Sequence, residues 1–402
     1  EDGIRDIGVT GVQTCALPIF NDDFQPLANQ DPTGAQAELL GELDMLSTAA
    51  AYQAALEGLA NPTVQISAVQ VAALSQYHDV LRNEIRRKFT IGERRTPTPF
   101  RLGESLQLAA QDDVAGQAIR RQMRPETTAQ GFGAFFGRNL STPTDGIIIG
   151  LSGNEYGGLG GFGWNLSDKW TAGVDLGYSA IMGDLNGGFG STRVGTLRGG
   201  GFVTYGSGEG LFADLAISGG WNNYNFDRLV PNTNLSNESN ADGFQIDGTV
   251  GVGYRMPLAE GFAFTPTGSF LYSYVNTGSI DEQTSSNPTT AAGLSIDPGD
   301  LSSFIGRVGG EISWSVLPGM VVDGRLGWQG NFTDNGNYDV GLANQAAAVP
   351  IIVENQTINT AYYGAGLNWN VAEQIDVNLQ WEGRSGDGLN SQMFIAGVTI
   401  SF

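Results

Sequence analysis

The chain has 402 residues, of which 59 are glycine and only 15% are charged, and its formal net charge is −22. This acidity excludes a nucleic-acid partner, because such partners are bound by clustered Lys and Arg side chains. No window approaches the ~20 consecutive apolar residues of a membrane-spanning helix. A membrane β-barrel is not excluded by that observation, since it carries apolar residues only at every second position.

Residues 1–19, EDGIRDIGVTGVQTCALPI, contain the only cysteine of the chain, Cys15. The stretch lacks the charged and then apolar pattern of a signal peptide, and no periodicity connects it to the residues after it. It resembles translated adapter sequence, so we treat it as non-native and expect the chain to be a fragment with its signal peptide upstream. A single cysteine allows no internal disulfide, and near-absence of cysteine suits an exported protein.

Residues 35–90 are rich in Ala and Leu, which predicts helices, and Asn61-Pro62 divides them. The second half carries an apolar stripe on a helix of ~27 residues, about 40 Å long at 1.5 Å per residue. Basic residues crowd its C-terminal turn, where the helix dipole favours cations. The residues of the stripe recur every seven positions and are Val64, Val71, His78 and Ile85.

A proline-containing linker, TPTPF at 96–100, follows this helix and forces an extended conformation. A second, less amphipathic helix is predicted over 103–124 and ends at Pro125. His78 is the only histidine. Its position in the apolar stripe indicates a packing role rather than catalysis or metal binding.

From about residue 129 the alternation of apolar and polar residues has a period of two, which is the pattern of β-strands. One clear example sets Ile375, Val377 and Leu379 against the polar residues between them. Twelve strands are predicted, over 129–139, 155–166, 169–182, 194–206, 210–226, 242–256, 261–278, 301–316, 320–332, 359–371, 374–385 and 389–402.

The connections between these strands alternate in length. Those after strands 2, 4, 6, 8 and 10 are short, such as NLSDK and LPG, whereas those after strands 1, 3, 5, 7 and 9 are long and polar. Outer-membrane barrels show this pattern, with periplasmic turns and external loops. A soluble β-sandwich gives no reason for it. The fold class predicted is therefore an all-β membrane protein, a 12-stranded antiparallel outer-membrane barrel preceded by a helical segment.

Charged residues within the strands lie opposite the apolar stripe, and on the lipid side each would cost a few kcal/mol near the midplane. We therefore predict a wet lumen lined by Asp175, Arg198, Asp214, Asp247, Arg255, Arg307, Glu311, Asp323, Arg325, Asp376 and Glu382. Aromatic residues toward strand ends are typical of membrane interfaces. The predicted girdle contains Trp164, Trp170, Trp314, Trp369 and Trp381.

The last stretch, LNSQMFIAGVTISF, alternates strongly and ends on Phe402. An aromatic carboxyl terminus resembles the C-terminal signal that the outer-membrane insertion machinery reads. Together with GGFGWNLSDKWTAGVDLGYS (160–179) and TLRGGGFVTYGSGEGLFADLAISGGW (196–221), this ending resembles the translocator barrels of the classical, monomeric autotransporters of type V secretion. LSQYHDVLRNEIRRKF (74–89) resembles the helix that joins passenger to barrel in that family. One departure is that residues 91–128 intervene before the first strand.

The resemblance implies a Gram-negative outer-membrane translocator domain that exports its own N-terminal passenger to the cell surface and keeps the end of the passenger as a helix in the pore. It divides the chain into the passenger end (20–62), the amphipathic helix, linker and second helix (63–128) and the barrel (129–402). The helix 64–90 is favoured slightly over 103–124 for the pore. The residues expected on the pore helix are Val71, His78, Arg82, Ile85, Arg86 and Arg87. Expected partners are the lipid bilayer, the insertion machinery, periplasmic chaperones and the passenger itself, with a monomeric barrel.

The barrel sequence has no His and no Cys, which removes Ser–His–Asp and Cys–His nucleophiles and the usual zinc ligands from it. We expect no enzyme activity, cofactor or metal. Neither predicted helix has an Asn pair, so we expect no self-cleavage by paired asparagines. The alternative function is a small porin or adhesin-type barrel whose external loops bind a ligand. The helical region 35–124 counts against a porin.

Overall fold

The computed structural model describes residues 77–86, 129–142, 144, 150–206, 208–229, 236–284, 293–333, 336–342, 348–353, 357–372, 374–387 and 389–402. Residues 77–86 form one helix, α1. None of the helices in these ranges is both long and apolar enough to cross a membrane. The strands are β1 (Ala129–Ser141), β2 (Leu151–Asn165), β3 (Trp170–Leu185), β4 (Gly190–Tyr205), β5 (Gly210–Leu229), β6 (Ser236–Ala259), β7 (Phe262–Thr277), β8 (Ile280–Asp281), β9 (Gln283–Thr284), β10 (Leu294–Asp297), β11 (Asp300–Leu317), β12 (Met320–Thr333), β13 (Gly336–Leu342), β14 (Ala348–Val353), β15 (Thr357–Ala372), β16 (Ile375–Gly386) and β17 (Leu389–Ser401).

Twelve long antiparallel strands close into a barrel, which confirms the predicted fold class. Each pairs with its neighbours in the order β1 to β7, β11, β12, β15, β16, β17. The cylinder is completed by β1 and β17, whose register runs from Gln130↔Ser401 to Ser141↔Asn390. The last residue extends this seam, because the Phe402 amide donates to the Ala129 carbonyl at 3.0 Å. The barrel therefore has no open edge strand along this seam.

Side chains alternate between the two faces of the wall. In β5, Leu215 and Ile217 are exposed on the outside, whereas Asp214, Ala216 and Ser218 are buried on the inside. The same alternation holds in β17, where Phe394 points outward. This apolar exterior and largely polar interior are what a barrel in a bilayer requires.

Inward-facing glycines make room for aromatic rings inside the wall. A Cβ atom at Gly161 would lie 2.3 Å from Cζ of Phe132, and one at Gly173 would lie 2.3 Å from Cζ of Phe202. The same two Cβ atoms would lie 2.6 Å from the backbone oxygen of Val174 and 2.4 Å from that of Phe162, so glycine is required by the backbone as well as by the rings. Part of the high glycine content therefore reflects ring packing within the wall.

The two ends of the barrel differ. At the end with Ala129 and Phe402 the strands join in short turns, which we call the turn end. At the opposite end, the loop end, β5 and β6 reach 20 and 24 residues, and β8, β10, β13 and β14 form a separate four-stranded sheet. The extended hairpin and this sheet lie beyond the predicted strand boundaries. The apolar outer stripe stops near Asn223, Asn225 and Asp227, although pairing continues.

A cation placed on the outside of the wall should test the assignment of the two faces. Leu176→Arg, at an exposed position midway along β3, should lower the free energy of unfolding from lipid vesicles by about 2–4 kcal/mol. The control Asn225→Arg lies on the outer face near the loop end and should cost less than about 1 kcal/mol. Equal losses in urea titrations would contradict a bilayer around Leu176.

Candidate functional site: a helix inside the barrel

Helix α1 is enclosed by the barrel wall. Eight of its ten residues are buried, and Val80 and Leu81 have no exposed surface. A helix that is buried on every side must be surrounded by other parts of the protein. The described contacts of α1 reach strands on both sides of the lumen.

Two polar side chains of α1 bind acids on the wall at β3 and β5. The hydroxyl of Tyr77 donates to Asp175. Arg82 donates to both oxygens of Asp214, with Nε–Oδ1 at 2.7 Å and Nη2–Oδ2 at 3.2 Å. Both carboxylates are buried. Two parallel hydrogen bonds to one carboxylate fix the orientation of the arginine as well as its position.

A single acid of α1 is shared by two arginines on the opposite wall. Asp79 accepts from Arg307 of β11 and from Arg384 of β16. All three side chains are buried or nearly so. A buried charge is tolerated only when it is paired and hydrogen-bonded. Asp79 therefore ties α1 to two strands at once.

Two further contacts complete the ring around α1. Arg325 of β12 donates to the side-chain oxygen of Asn83 at 2.9 Å. Asn378 of β16 donates to Glu84 at 2.9 Å. His78 also contacts Ser218 of β5 and Asp247 of β6, as described below. Together these contacts connect α1 to half of the barrel strands, which are β3, β5, β6, β11, β12 and β16.

An apolar patch on the inner wall receives the other face of α1. Tyr77, Val80, Leu81 and Ile85 pack there. Of the two predicted stripe residues that the structure describes, Ile85 belongs to this patch, whereas His78 contacts Ser218. The patch is formed by Ala134, Phe136, Leu159, Phe202, Ala216, Met393 and Ile395, with Phe132 beside it. Sequence reasoning expected a polar lumen and missed this patch. The patch could have been predicted from Met393 and Ile395, two apolar residues on the inner face of the last strand.

A small charged cavity of about 40 Å³ lies beside these contacts, between α1 and the inner wall at β7, β11 and β12. Its lining includes Arg86, Glu311 and Arg325. The volume suffices for a few water molecules, since one water needs about 10–15 Å³ of such space. The interface on this side of α1 is therefore less tightly packed than on the apolar side.

His78 meets a serine and an aspartate inside the lumen, a contact that the sequence did not indicate. Its Nε2 atom lies 3.2 Å from Oγ of Ser218 and 3.7 Å from Oδ2 of Asp247. In a hydrolytic triad the acid holds Nδ1 while Nε2 faces the nucleophile. Here both partners face Nε2, so the arrangement does not activate Ser218.

The residues predicted to line the lumen fall into two groups. Those that contact α1 are Asp175, Arg198, Asp214, Asp247, Arg307 and Arg325. Of the others, Asp323 and Glu382 lie near Arg325, and Asp376 accepts from Asn370 at 2.9 Å. Glu311 lines the small cavity, and Arg255 is half-buried in β6.

Of the predicted pore-helix residues, His78, Arg82, Ile85 and Arg86 lie in α1. Val71, Arg87 and all of 103–124 lie outside the described residues.

Four of the five predicted girdle tryptophans lie together at the turn end. Trp164, Trp170, Trp314 and Trp369 are each within four residues of a short turn and are exposed on the outer wall. Trp381 differs, because it is the seventh of the 12 residues of β16 and is half-buried. Its ring packs against Tyr363 with centroids 5.6 Å apart, so it is a mid-wall residue.

A closed barrel with an apolar exterior, and with a helix from the preceding chain bound in its lumen, defines a class of outer-membrane transport proteins. The chain belongs to one family of that class, because the family model "Autotransporter beta-domain" matches residues 131–382. It is accordingly an outer-membrane protein of a Gram-negative bacterium. No curated protein matches the chain in sequence.

Several solved structures share the fold. The translocator domain of the autotransporter NalP from Neisseria meningitidis has a TM-score of 0.55 at 13% identity, covering 74% of this chain and 98% of its own. The β-domain of the Bordetella autotransporter BrkA has a TM-score of 0.52 at 17% identity, covering 68% and 100%. The transport unit of AIDA-I from Escherichia coli has a TM-score of 0.50 at 14% identity, covering 70% and 92%.

Removal of the charge on Asp79 should loosen α1. Asp79→Asn leaves Arg307 and Arg384 without their shared carboxylate and should lower the free energy of unfolding by about 3–5 kcal/mol, the usual cost of breaking a buried pair. As a control, Asp227→Asn removes an exposed acid from the outer face of β5. This variant should change the free energy of unfolding by less than about 1 kcal/mol. Urea titration in lipid vesicles measures both, and equal effects would show that Asp79 is not tied to the wall.

Proposed function

We propose that this barrel carries its own N-terminal passenger to the cell surface and that α1 is the end of the passenger, retained in the pore. The observation that carries the proposal is the binding of α1 to six strands through paired charges and hydrogen bonds. A helix that merely preceded the barrel in sequence would have no need of complementary partners on both sides of the lumen.

The direction of α1 supports export. Asp79, near its N-terminus, binds Arg384, the tenth residue of β16 and close to the loop end. Glu84, near its C-terminus, binds Asn378, the fourth residue of β16 and close to the turn end. The N-terminus of α1 therefore points to the loop end. With the loops outside and the turns in the periplasm, the residues before α1 lead toward the cell exterior.

The position of α1 also supports the division of the preceding chain. Residues 77–86 fall within the predicted helix 64–90, so that helix rather than 103–124 is proposed for the pore. In this assignment 20–62 is the end of the passenger, and 63–128 contains the pore helix and its return to β1. The proposed role is transport without catalysis by a monomeric barrel.

An epitope placed before α1 tests export directly. Inserted after Asn61, it should be reached by antibody on intact cells, because the passenger end leaves through the loop end. The same epitope inserted after Glu209, in the turn between β4 and β5, should bind antibody only after permeabilisation. An epitope at residue 61 that stays hidden on intact cells, while the barrel is folded in the outer membrane, would refute the proposal.

We further propose that Phe402 contributes to recognition by the insertion machinery, with periplasmic chaperones delivering the unfolded barrel. Phe402→Ala should lower the amount of barrel in the outer membrane, because the terminal aromatic group is lost. Phe394→Ala is a matched control, since both rings are 62% exposed on the outer face of the same seam. Membrane fractions probed by immunoblot give the measurement. Equal reductions in the two variants would mean that only lipid contact matters.

A further inference from the structure

The inner wall at the loop end is apolar. Eight buried residues at the loop-end portions of β1 to β6 form one cluster there, Leu140, Leu151, Ile181, Leu185, Val194, Tyr224, Phe226 and Ala241. In an open, water-filled mouth these side chains would face solvent, which is unfavourable for so large an apolar surface. Something must therefore cover them.

The cover is formed by the described residues of the connection between β7 and β11, which are 278–284 and 293–299. Ile280 of β8 and Leu294 and Ile296 of β10 belong to the same buried cluster, and Ile280 and Ile296 are only 1% exposed. The receiving residues come from six neighbouring strands, half of the circumference. Ile280, Leu294 and Ile296 therefore lie inside the curve formed by β1 to β6, and β8 and β10 extend across this half of the mouth.

A buried ionic latch holds this connection to the β5–β6 hairpin. Arg228 Nε donates to Oε1 of Glu282 at 2.7 Å. The second carboxylate oxygen of Glu282 accepts from the side-chain amide of Asn237 at 3.1 Å and from the backbone amide of Leu294 at 3.0 Å. Such a carboxylate is stable in a buried place only while all these donors are present.

Backbone pairing extends the same attachment. The Gly278 amide donates to the Asp242 carbonyl at 2.8 Å, and β9 pairs with β6 in the register Asn237↔Thr284. On its other side β10 pairs with β13. The connection is therefore fastened by an apolar core, an ion pair and strand hydrogen bonds.

We propose that β8, β9 and β10 form a lid over the β1–β6 half of the external mouth, above α1, so that the lid and α1 are two separate barriers in the pore. The lid covers the β1–β6 side of the mouth, whereas α1 occupies the lumen below it. This inference goes beyond passenger export and depends only on the barrel lying in the outer membrane.

Labelling of a buried lid position tests the closed state in the full chain on intact cells, with Cys15→Ser as background. Ile280→Cys should react with a membrane-impermeant maleimide at least about tenfold more slowly than Leu229→Cys on the β5–β6 hairpin, because residue 280 is buried under the lid and protected by structure. Leu229 is 46% exposed, against 1% for Ile280. Adding Glu282→Ala should speed labelling of residue 280, whereas Asp227→Ala, on the outer face of the same hairpin, should not. Equal rates for residues 280 and 229 in the parent would overturn the lid.

Conductance in planar bilayers tests the seal. Asp79→Asn loosens α1, and Glu282→Ala with Ile296→Asp opens the lid. Each change alone should raise the conductance only slightly, because the other barrier remains. The combined variant should raise the conductance by a factor larger than the product of the two separate factors. Full conductance from Asp79→Asn alone, with no addition from the lid changes, would refute a second barrier.

Folding and export are followed separately in the same variants. Heat-dependent migration on gels reports whether the barrel is folded, and antibody binding to the epitope after Asn61 reports export. If Glu282→Ala does not fold, the comparison of residues 280 and 229 in the parent decides the proposal alone. Normal display together with rapid labelling of residue 280 would reject the lid and leave export intact.

Discussion

The structure depends on one constraint, that every backbone N–H and C=O group within hydrocarbon must find a partner in the protein. A sheet can meet it only by closing on itself. Here the closure is made by β1 and β17 over twelve residue pairs, and the terminal amide of Phe402 continues the seam. Once the cylinder is closed, successive side chains must face lipid and lumen in turn. The apolar exterior and the buried charges are two consequences of that closure.

The charged interior then determines what can occupy it. A wall with Asp175, Asp214 and Asp247 on one side and Arg307 and Arg384 on the other offers no low-energy place to an apolar plug. Helix α1 carries charged or hydrogen-bonding groups that match these positions and an apolar stripe where the wall is apolar. Isolated charges at these depths would be costly, so the wall and the helix depend on each other.

Local sequence patterns predicted the barrel well, because the polarity of each residue along a strand indicates whether its side chain faces lipid or the lumen. Ile375, Val377 and Leu379 show the period of two without knowledge of their neighbours. Features that need distant partners were not predictable. His78 contacts Ser218, which is 140 residues away in sequence, and no sequence spacing predicts such a contact. The short strands β8 and β10 were missed because they are held by the inner faces of β1 to β6 rather than by periodicity of their own. The outer end of β6 was missed because its outward residues are polar above the lipid.

The helix and the lid each combine apolar and polar contacts, but they differ in how the chain constrains them. The lid is tethered at both ends, by β7 and β11, so its position along the barrel axis is limited before the contacts of Ile280, Ile296 and Glu282 form. Helix α1 is separated by 42 residues, 87–128, from β1, which is the next element that the structure describes. A purely apolar stripe would allow it to shift by one turn, about 5.4 Å, with similar burial. Paired charges remove that freedom, because a one-turn shift would separate Asp79 from both arginines and Arg82 from Asp214. Polar contacts in the lumen therefore set the axial position of α1, whereas the position of the lid is already limited by the two strands that flank it.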